Sequence, residues 1–197
     1  MTVTPRELTL TQIEDLFQGL FVSILEWDVA SPSKVNDVRI SWPEEGMPAF
    51  LITDDVVFVQ CLEVDEPYNR QREVEDTWTL TTPELFGRTI GYTRAWQVNV
   101  ILYGPDSYQN SQELRDKIFY PEHQNTLQKS YLYLVPDVAA PKRVPEYFQG
   151  RWWKRVDMSF VLYESVVRST TVPAIDSISV TIYEGDEGNK IAEINNE

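Results

Sequence analysis

The chain has 197 residues, a length that suits one domain with a substantial core, or one domain plus an extension. Hydrophobic residues make up 42% of it, with six Trp and ten Tyr, which is too much apolar mass for a disordered protein. Its 17 basic and 31 acidic residues give a formal net charge of -14, which repels nucleic acid and anionic lipid and argues against sequence-specific DNA reading.

The cysteine content and the N-terminus bear on the compartment. Cys61 is the single cysteine and lies in an apolar segment, so no intramolecular disulfide can form and we interpret it as a buried, inert thiol. Residues 1–6 lack the basic start and apolar core of a signal peptide, and no apolar run approaches the ~20 residues of a membrane span. We therefore expect a soluble protein made in the cytoplasm, with no membrane partner.

The first predicted element is an amphipathic helix over about residues 11–26. Its apolar residues recur at steps of three and four: Leu10, Ile13, Phe17, Leu20 and Ile24. Thr11 followed by Glu14 is typical of a capping box. Residues 27–49 then form an irregular connection around a short strand-like segment at 36–40. Two Trp residues in it, Trp27 and Trp42, either cover the edge of the core or belong to a contact surface.

Extended segments follow between residues 55 and 103. Residues 55–64 are almost continuously apolar, which predicts a strand in the interior of a sheet. Residues 64–73 are polar and indicate a hairpin tip that leads into an alternating strand at 74–80, antiparallel to the first. Residues 88–103 are a second long extended run, with Gly91 as a possible bend or bulge. Its buried face is predicted to make it the central strand: Trp96, Val98, Val100 and Leu102.

Gly104 and Pro105 end the central strand and introduce a second helix. Asp106 followed by Gln109 indicates a capping box, and one side of the helix carries Tyr108, Ser111, Leu114 and Ile118. We expect a polar turn at 121–125, a short strand at 131–135 and a strand at 152–164 that pairs with the central one. A strand that turns into an amphipathic helix supplies two layers, so the predicted fold is α+β, with a mixed, mostly antiparallel β-sheet flanked by helices.

The C-terminal part has a different character. Residues 170–173 are predicted to be a linker, residues 177–183 a terminal strand with alternating Ile178, Val180 and Ile182, and residues 184–197 a loosely held acidic tail. We therefore expect a main domain over residues 1–168 and an extension over 169–197. The terminal strand could close its own sheet or pair with the exposed edge of a neighbouring subunit.

Two charged segments are candidate binding surfaces. Residues 136–155 contain a cluster of basic residues with Glu146 as the one acidic residue inside it: Lys142, Arg143, Arg151, Lys154 and Arg155. In so acidic a chain this cluster could bind an acidic partner or the chain's own acidic loop. Arg70 and Arg72 lie among acids in the predicted hairpin, which is either a solvated face or an electrostatic docking loop.

No catalytic or cofactor-binding constellation is recognisable. The sequence lacks a glycine-rich phosphate loop, a nucleophile elbow, a zinc-protease motif and a cysteine pair. Single titratable residues remain as the only candidates for acid–base or cation chemistry: Asp54, Asp55 and His123. We therefore expect no enzyme activity, cofactor or metal, and a role in binding or assembly.

The order of these elements resembles the phage neck or tail terminator (tail completion) proteins. The resemblance covers about residues 8–167 and is carried by Val38-Arg-Ile-Ser-Trp42, Trp96-Gln-Val-Asn-Val-Ile-Leu-Tyr-Gly-Pro105, Leu114-Arg115 and Tyr147-Phe-Gln-Gly-Arg-Trp152. It implies a structural virion protein that forms a ring, of six subunits, at the top of a phage tail. Such a ring stops growth of the tail tube and joins the tail to the head.

The implied partners are other copies of the chain, the tail tube protein and a head-closure or connector protein. Genomic DNA would pass through an acidic lumen without specific binding. Subunit or neck contacts are then expected at residues on three surfaces: Arg70, Arg72, Lys142, Arg143, Arg151, Lys154, Ile178, Val180 and Ile182. Another head-to-tail connector and a small soluble enzyme are the alternative functions.

Overall fold

The structure is a computed structural model that describes residues 5–27, 36–41, 49–78, 85–173, 178–184 and 189–196. Contacts divide the chain into two units. The larger unit comprises Arg6–Gln71 and Tyr92–Val166, and the smaller comprises Met1–Pro5, Arg72–Gly91 and Val167–Glu197. The domain boundary at residue 168 stays a prediction, as does the interpretation of residues 169–197 as an extension.

The described part of the chain contains helices and strands in the following order. The helices are α1 (Leu10–Ile24), a 3-10 helix (Pro67–Arg70), α2 (Ser107–Lys117) and α3 (Pro121–Lys129). The strands are β1 (Asn36–Ile40), β2 (Asp55–Val64), β3 (Glu73–Trp78), β4 (Leu85–Tyr103), β5 (Leu132–Leu134), β6 (Lys142–Arg143), β7 (Glu146–Phe148), β8 (Arg151–Trp153), β9 (Arg155–Pro173), β10 (Ile178–Glu184) and β11 (Asn189–Asn196).

Within the described residues the main sheet has seven strands and is mixed but mostly antiparallel, which confirms the predicted α+β class. Its strand order is β1-β2-β4-β9-β5, with β3 also on β4 and β6 also on β9. β1 is parallel to β2, and β2 is antiparallel to β4 from Val56 opposite Tyr103 to Val64 opposite Ala95. β2 is therefore interior and β4 central, as predicted.

The core of the larger unit lies between one face of this sheet and the helices. Alternate residues of β4 are buried on that face, namely Trp96, Val98, Val100 and Leu102, as the period of two predicts. β9 contributes Val156, Met158, Phe160 and Leu162 in the same way. Cys61 is buried among them, and this burial raises the pKa of its thiol to about 12, so the thiol is an inert core group.

α1 buries its apolar stripe against β1 and β2, with Ile13, Phe17 and Phe21 wholly inaccessible. Its capping box lies two residues earlier than predicted. Thr9 Oγ1 accepts a hydrogen bond from the Gln12 amide at 3.3 Å, and the Gln12 side chain accepts one from the Thr9 amide. Thr9 has an extended backbone whereas Thr11 is already helical, so only Thr9 can serve as the N-cap.

The turn from β4 into α2 is stabilised by a residue distant in sequence. The predicted capping box at Asp106 is wrong, because the Asp106 side chain makes no capping bond. Instead the Asp55 carboxylate accepts from the Asp106 amide at 3.0 Å, and burial raises the pKa of Asp55. Gly104 has φ 117, and a Cβ there would lie 2.5 Å from the Asp54 carbonyl oxygen, so this turn requires glycine.

The predicted hairpin between β2 and β3 is also wrong. β3 pairs with β4, from Glu73 opposite Gly91 to Trp78 opposite Phe86, with no shift of register. β2 pairs with the later part of the same strand, so β4 is long enough to serve both partners. The polar residues 64–73 are therefore not a hairpin turn. They include a short 3-10 helix and connect two strands that both pair with β4.

Three further predictions require correction. His123 lies in α3 instead of a polar turn, since Pro121 at the first helical turn favours helix initiation there. Residues 170–173 are the end of β9 instead of a linker. Residues 189–196, predicted to be part of a loose acidic tail, form β11, which pairs antiparallel with β10. Pairing with β10 thus gives this acidic segment a regular structure that its composition does not indicate.

A buried carboxylate joins three segments of the larger unit. Glu164, on β9, is 1% exposed and accepts hydrogen bonds from the Leu8 amide at 2.8 Å and the Trp96 indole at 2.8 Å. Arg94, on β4, donates its Nε to the same carboxylate at 2.9 Å and another nitrogen to the Leu8 carbonyl at 2.6 Å. These bonds hold the segment before α1 against the two longest strands.

We predict that Glu164→Gln lowers the free energy of unfolding by about 3 kcal/mol, because the Arg94 charge, with a side chain only 12% exposed, loses its buried ion pair and keeps only the longer, more exposed one to Glu7. Urea unfolding at pH 7 measures this. Glu63→Gln, an exposed change on β2, is the control and should alter the free energy by less than about 0.5 kcal/mol. Equal stability of the two variants would contradict the role assigned to Glu164.

Candidate assembly surface

The basic segment 142–155 folds into short strands beside the ends of β4 and β9. β6 pairs with the beginning of β9, and β7 and β8 form a hairpin of their own. The hairpin turn consists of Gln149 and Gly150, both with positive φ, at 49° and 77°. Two such residues favour the tight turn whose twist matches the strands, so the chain reverses direction here within two residues. The strand predicted at 152–164 is thus divided between β8 and β9.

The predicted basic residues do not act alike. Arg155 donates to Asp157 at 2.7 Å and to Glu146 at 3.2 Å, and these partners raise its pKa and neutralise its charge locally. Arg143 lies over the Tyr108 ring, 4.2 Å from its centroid, and Lys154 donates to the Pro105 carbonyl at 3.1 Å. Arg143 and Lys154 therefore retain exposed positive charge while contacting the β4–α2 region.

Lys142 and Arg151 are exposed, and no described residue forms an ion pair with either of them. Arg151 lies beside the hairpin turn, opposite Phe148. Lys142 lies opposite Asp157 across the β6–β9 pair. We use the term basic surface for the four exposed basic residues of this segment: Lys142, Arg143, Arg151 and Lys154.

The hairpin also exposes large aromatic side chains, which are missing from the contact residues expected from the sequence. Tyr147 is 61% exposed, Phe148 52% and Trp152 66%. The signal was present in the sequence, since four aromatic residues flank a Gln-Gly turn within seven positions. Exposed aromatic residues beside a positive charge are typical of protein–protein interfaces.

An aromatic groove lies between the hairpin and the solvent-facing side of the sheet. It has a volume of about 650 Å³ and is lined in part by Phe50, Phe58, Tyr103, Phe148 and Trp153. Phe50 contacts the Phe58, Tyr103 and Trp153 rings at centroid distances of 5.4 to 5.7 Å. This cluster fixes the base of the hairpin on the sheet.

A hydrogen-bond chain at the edge of the groove secures the same base. The Tyr103 hydroxyl donates to Glu146 at 2.6 Å, and Arg155 donates to the same carboxylate oxygen. Burial, together with the bond to Glu146, raises the pKa of Tyr103 to about 12. The bonds from Tyr103 and Arg155 lower the pKa of Glu146. β4, β7 and β9 are thereby joined through three side chains.

The loop with Arg70 and Arg72 differs from the basic surface. Arg70 donates to Asp65 at 2.8 Å, and both side chains are exposed, so this charge is paired within the loop. Asn69 anchors the loop by donating to the Val64 carbonyl and accepting from the Ala95 amide. Arg72 is exposed and belongs to the smaller unit. A docking role for Arg70 and Arg72 stays a prediction.

Ile178, Val180 and Ile182 alternate along β10, which pairs with β11 in a two-stranded sheet of the smaller unit. Val180 is exposed, whereas the side chains of Ile178 and Ile182 are outside the described residues. One edge of β10 is used by β11. The predicted pairing of β10 with a neighbouring subunit could therefore involve only the other edge of β10.

Asp54, Asp55 and His123, the candidates for acid–base or cation chemistry, each lie in a position that a structural role explains. Asp54 accepts from the Leu51 amide at 2.7 Å in a turn, Asp55 supports the α2 turn, and His123 is buried in α3. Within the described residues, no three His, Cys, Asp or Glu side chains are grouped so that they could hold a metal ion. α1, the longest described helix, has 15 residues, and none of the described helices could span a membrane.

We predict that Tyr103→Phe lowers the free energy of unfolding by about 1 kcal/mol at pH 7, through loss of the bond to Glu146. Because the pKa of Tyr103 is raised from 10.0 to about 12 on folding, its contribution is complete below pH 10 and is lost between pH 10 and 12. Urea unfolding at several pH values from 8 to 12, with Tyr120→Phe as control, measures both effects. Parallel pH profiles for the wild type and Tyr103→Phe would contradict this account.

Comparison with known proteins identifies the family. A family model described as phage neck terminator protein matches residues 11–187, leaving ten residues unmatched at each end. The match spans α1 through β10 and so includes the basic surface and both long strands. No curated protein matches the chain significantly. The chain belongs to the phage neck terminator family of structural virion proteins, which act in tail completion.

Proposed function

We propose that this neck terminator assembles as a ring of six subunits at the top of the phage tail. There it stops growth of the tail tube and joins the tail to the head. Its partners are other copies of the chain, the tail tube protein and a head-closure or connector protein, and it is made in the host cytoplasm and incorporated into the virion. The family membership supports the location in the neck.

The main support for the proposed ring is the uneven distribution of charge along the chain. Residues 142–155 contain five of the 17 basic residues and one of the 31 acidic ones. The remainder therefore has 12 basic and 30 acidic residues. A basic surface on one subunit that meets a different, acidic surface on the next makes a head-to-tail contact, and such contacts close into rings when the rotation permits.

The same charge suits passage of the genome. A chain of net charge -14 presents mostly acidic surface, which repels phosphate, and basic residues used between subunits are not available to DNA. DNA can then slide through the lumen without specific binding. A small soluble enzyme has no supporting observation, since Asp54, Asp55 and His123 each have a structural environment.

We predict that reversing Arg151 and Lys154 together to Glu blocks ring formation while the monomer stays folded, because attraction at the contact becomes repulsion. Size-exclusion chromatography with light scattering measures assembly, and circular dichroism checks the fold, which matters because Lys154 also bonds Pro105.

A matched comparison uses single reversals at exposed positions. Arg151→Glu should weaken the ring, whereas Lys129→Glu on α3, with the same change in charge, should not. Normal rings formed by the double variant would contradict the head-to-tail contact through the basic surface.

We further propose that the β10–β11 hairpin adds to the contact between subunits by strand addition. A chain ending at Pro173, where β9 ends, should form rings that dissociate at lower salt or greater dilution than those of the full chain. Analytical ultracentrifugation over a dilution series measures this. Rings as stable as those of the full chain would show that residues 174–197 are dispensable for assembly.

A further inference from the structure

One face of the β7–β8 hairpin carries an aromatic pair that the fold does not use. Tyr147 and Trp152 are opposite one another across the hairpin, and their ring centroids lie 5.2 Å apart. Both are more than half exposed. On the opposite face of the hairpin, Trp153 packs against Phe50 and Tyr103. Alternation along the strands thus assigns one face to the sheet and presents the other to solvent.

The exposed pair is held in a fixed position. The hairpin has a tight two-residue turn, and the Trp153 indole donates to the Phe148 carbonyl at 3.3 Å. Glu146, at the start of the hairpin, is bound by Tyr103 and Arg155. A partner that binds Tyr147 and Trp152 therefore pays little conformational entropy, which favours a high affinity for a small area.

The chemistry around the pair indicates the partner. Trp, Tyr and Arg are the residues that most often dominate binding energy at interfaces, and Arg151 follows the turn directly. Arg151 and Lys154 are exposed on either side of Trp152 in the chain, Arg151 beside the turn and Lys154 just after the hairpin. They make this end of the molecule basic, which favours an acidic partner surface. A second copy of the chain meets this requirement, because it carries 30 acidic and 12 basic residues outside 142–155. A two-fold contact between hairpins would instead bring like charges together.

We propose that Tyr147 and Trp152 are the apolar anchor of the contact between copies. The hairpin of one copy docks on an acidic surface of the next copy, outside residues 142–155. This inference rests on the ring proposed above and adds to it the residues that supply apolar binding and the direction of the contact. The basic surface steers the approach, and the aromatic pair holds the docked state.

The first test compares assembly of the full-length chain with Trp152→Ser and Tyr147→Ser, singly and together, by native mass spectrometry over a concentration series. Both residues are exposed, so the variants should stay folded, with a melting temperature lowered by at most about 4 °C through loss of the contact between the two rings. We expect the double variant to need at least tenfold more protein than the wild type to assemble. Tyr120→Ser, at an exposed tyrosine before α3, is the control and should assemble like the wild type.

The possible outcomes distinguish failure of the aromatic-anchor proposal from failure of the ring proposal. Assembly of the double variant at the wild-type concentration would overturn the anchor and leave the ring proposal intact. A wild type that stays monomeric at every concentration, also when mixed with tails that lack the protein, would overturn both. Rings of the double variant that form normally but fail to join heads would show that the hairpin binds another virion protein.

A second test maps the docked surface. A photoreactive benzoylphenylalanine at position 147 in the wild-type chain should crosslink to peptides of another copy that lie outside residues 142–155. Crosslinks between two hairpins would contradict the head-to-tail direction. Crosslinks in virions to a different protein alone would overturn the assignment of a second copy as partner.

Discussion

The larger unit depends on one buried carboxylate. Glu164 is 70 residues from Arg94 and 156 from Leu8 along the chain, yet it bonds both, together with Trp96. A buried charge is costly unless its partners are in place, so the bonds define the positions of β4, β9 and the segment before α1 relative to one another. β4 and β9 in turn carry the two ends of the candidate assembly surface, since Tyr103 ends one strand and Arg155 begins the other.

From this base the structure builds a projection suited to binding. Phe50, Phe58, Tyr103 and Trp153 cover the end of the sheet and orient the β7–β8 hairpin, while the bonds of Glu146 secure its first strand. Charge and apolar surface coincide there, because Arg151 adjoins the exposed aromatic residues. In a chain of net charge -14, such a surface favours an acidic partner, and the chain itself is one.

Sequence periodicity predicts the elements that are buried on one face. It does not predict features that depend on residues distant in sequence, such as strand pairing and the support of turns. The alternation from Trp96 to Leu102 and the apolar stripe of α1 predict the observed elements, since burial of one face imposes those periods. The pairing of β3 with β4 could not be derived, because the polarity of residues 64–73 does not distinguish a hairpin from a connection between two strands on one partner. The support of the α2 turn by Asp55 could not be derived either, because Asp55 is far from that turn in sequence.

At the candidate site, composition is enough to recognise the basic residues. The neutralisation of Arg155 and the exposure of Trp152 depend on strand register, which composition does not give.

Electron cryomicroscopy of the neck in intact virions would show directly how the copies are arranged. We expect one ring of six copies at the end of the tail tube, with the β7–β8 hairpin of each copy against an acidic surface of the next. Copies arranged in two-fold pairs, or a ring in which the hairpins touch no neighbouring copy, would contradict it.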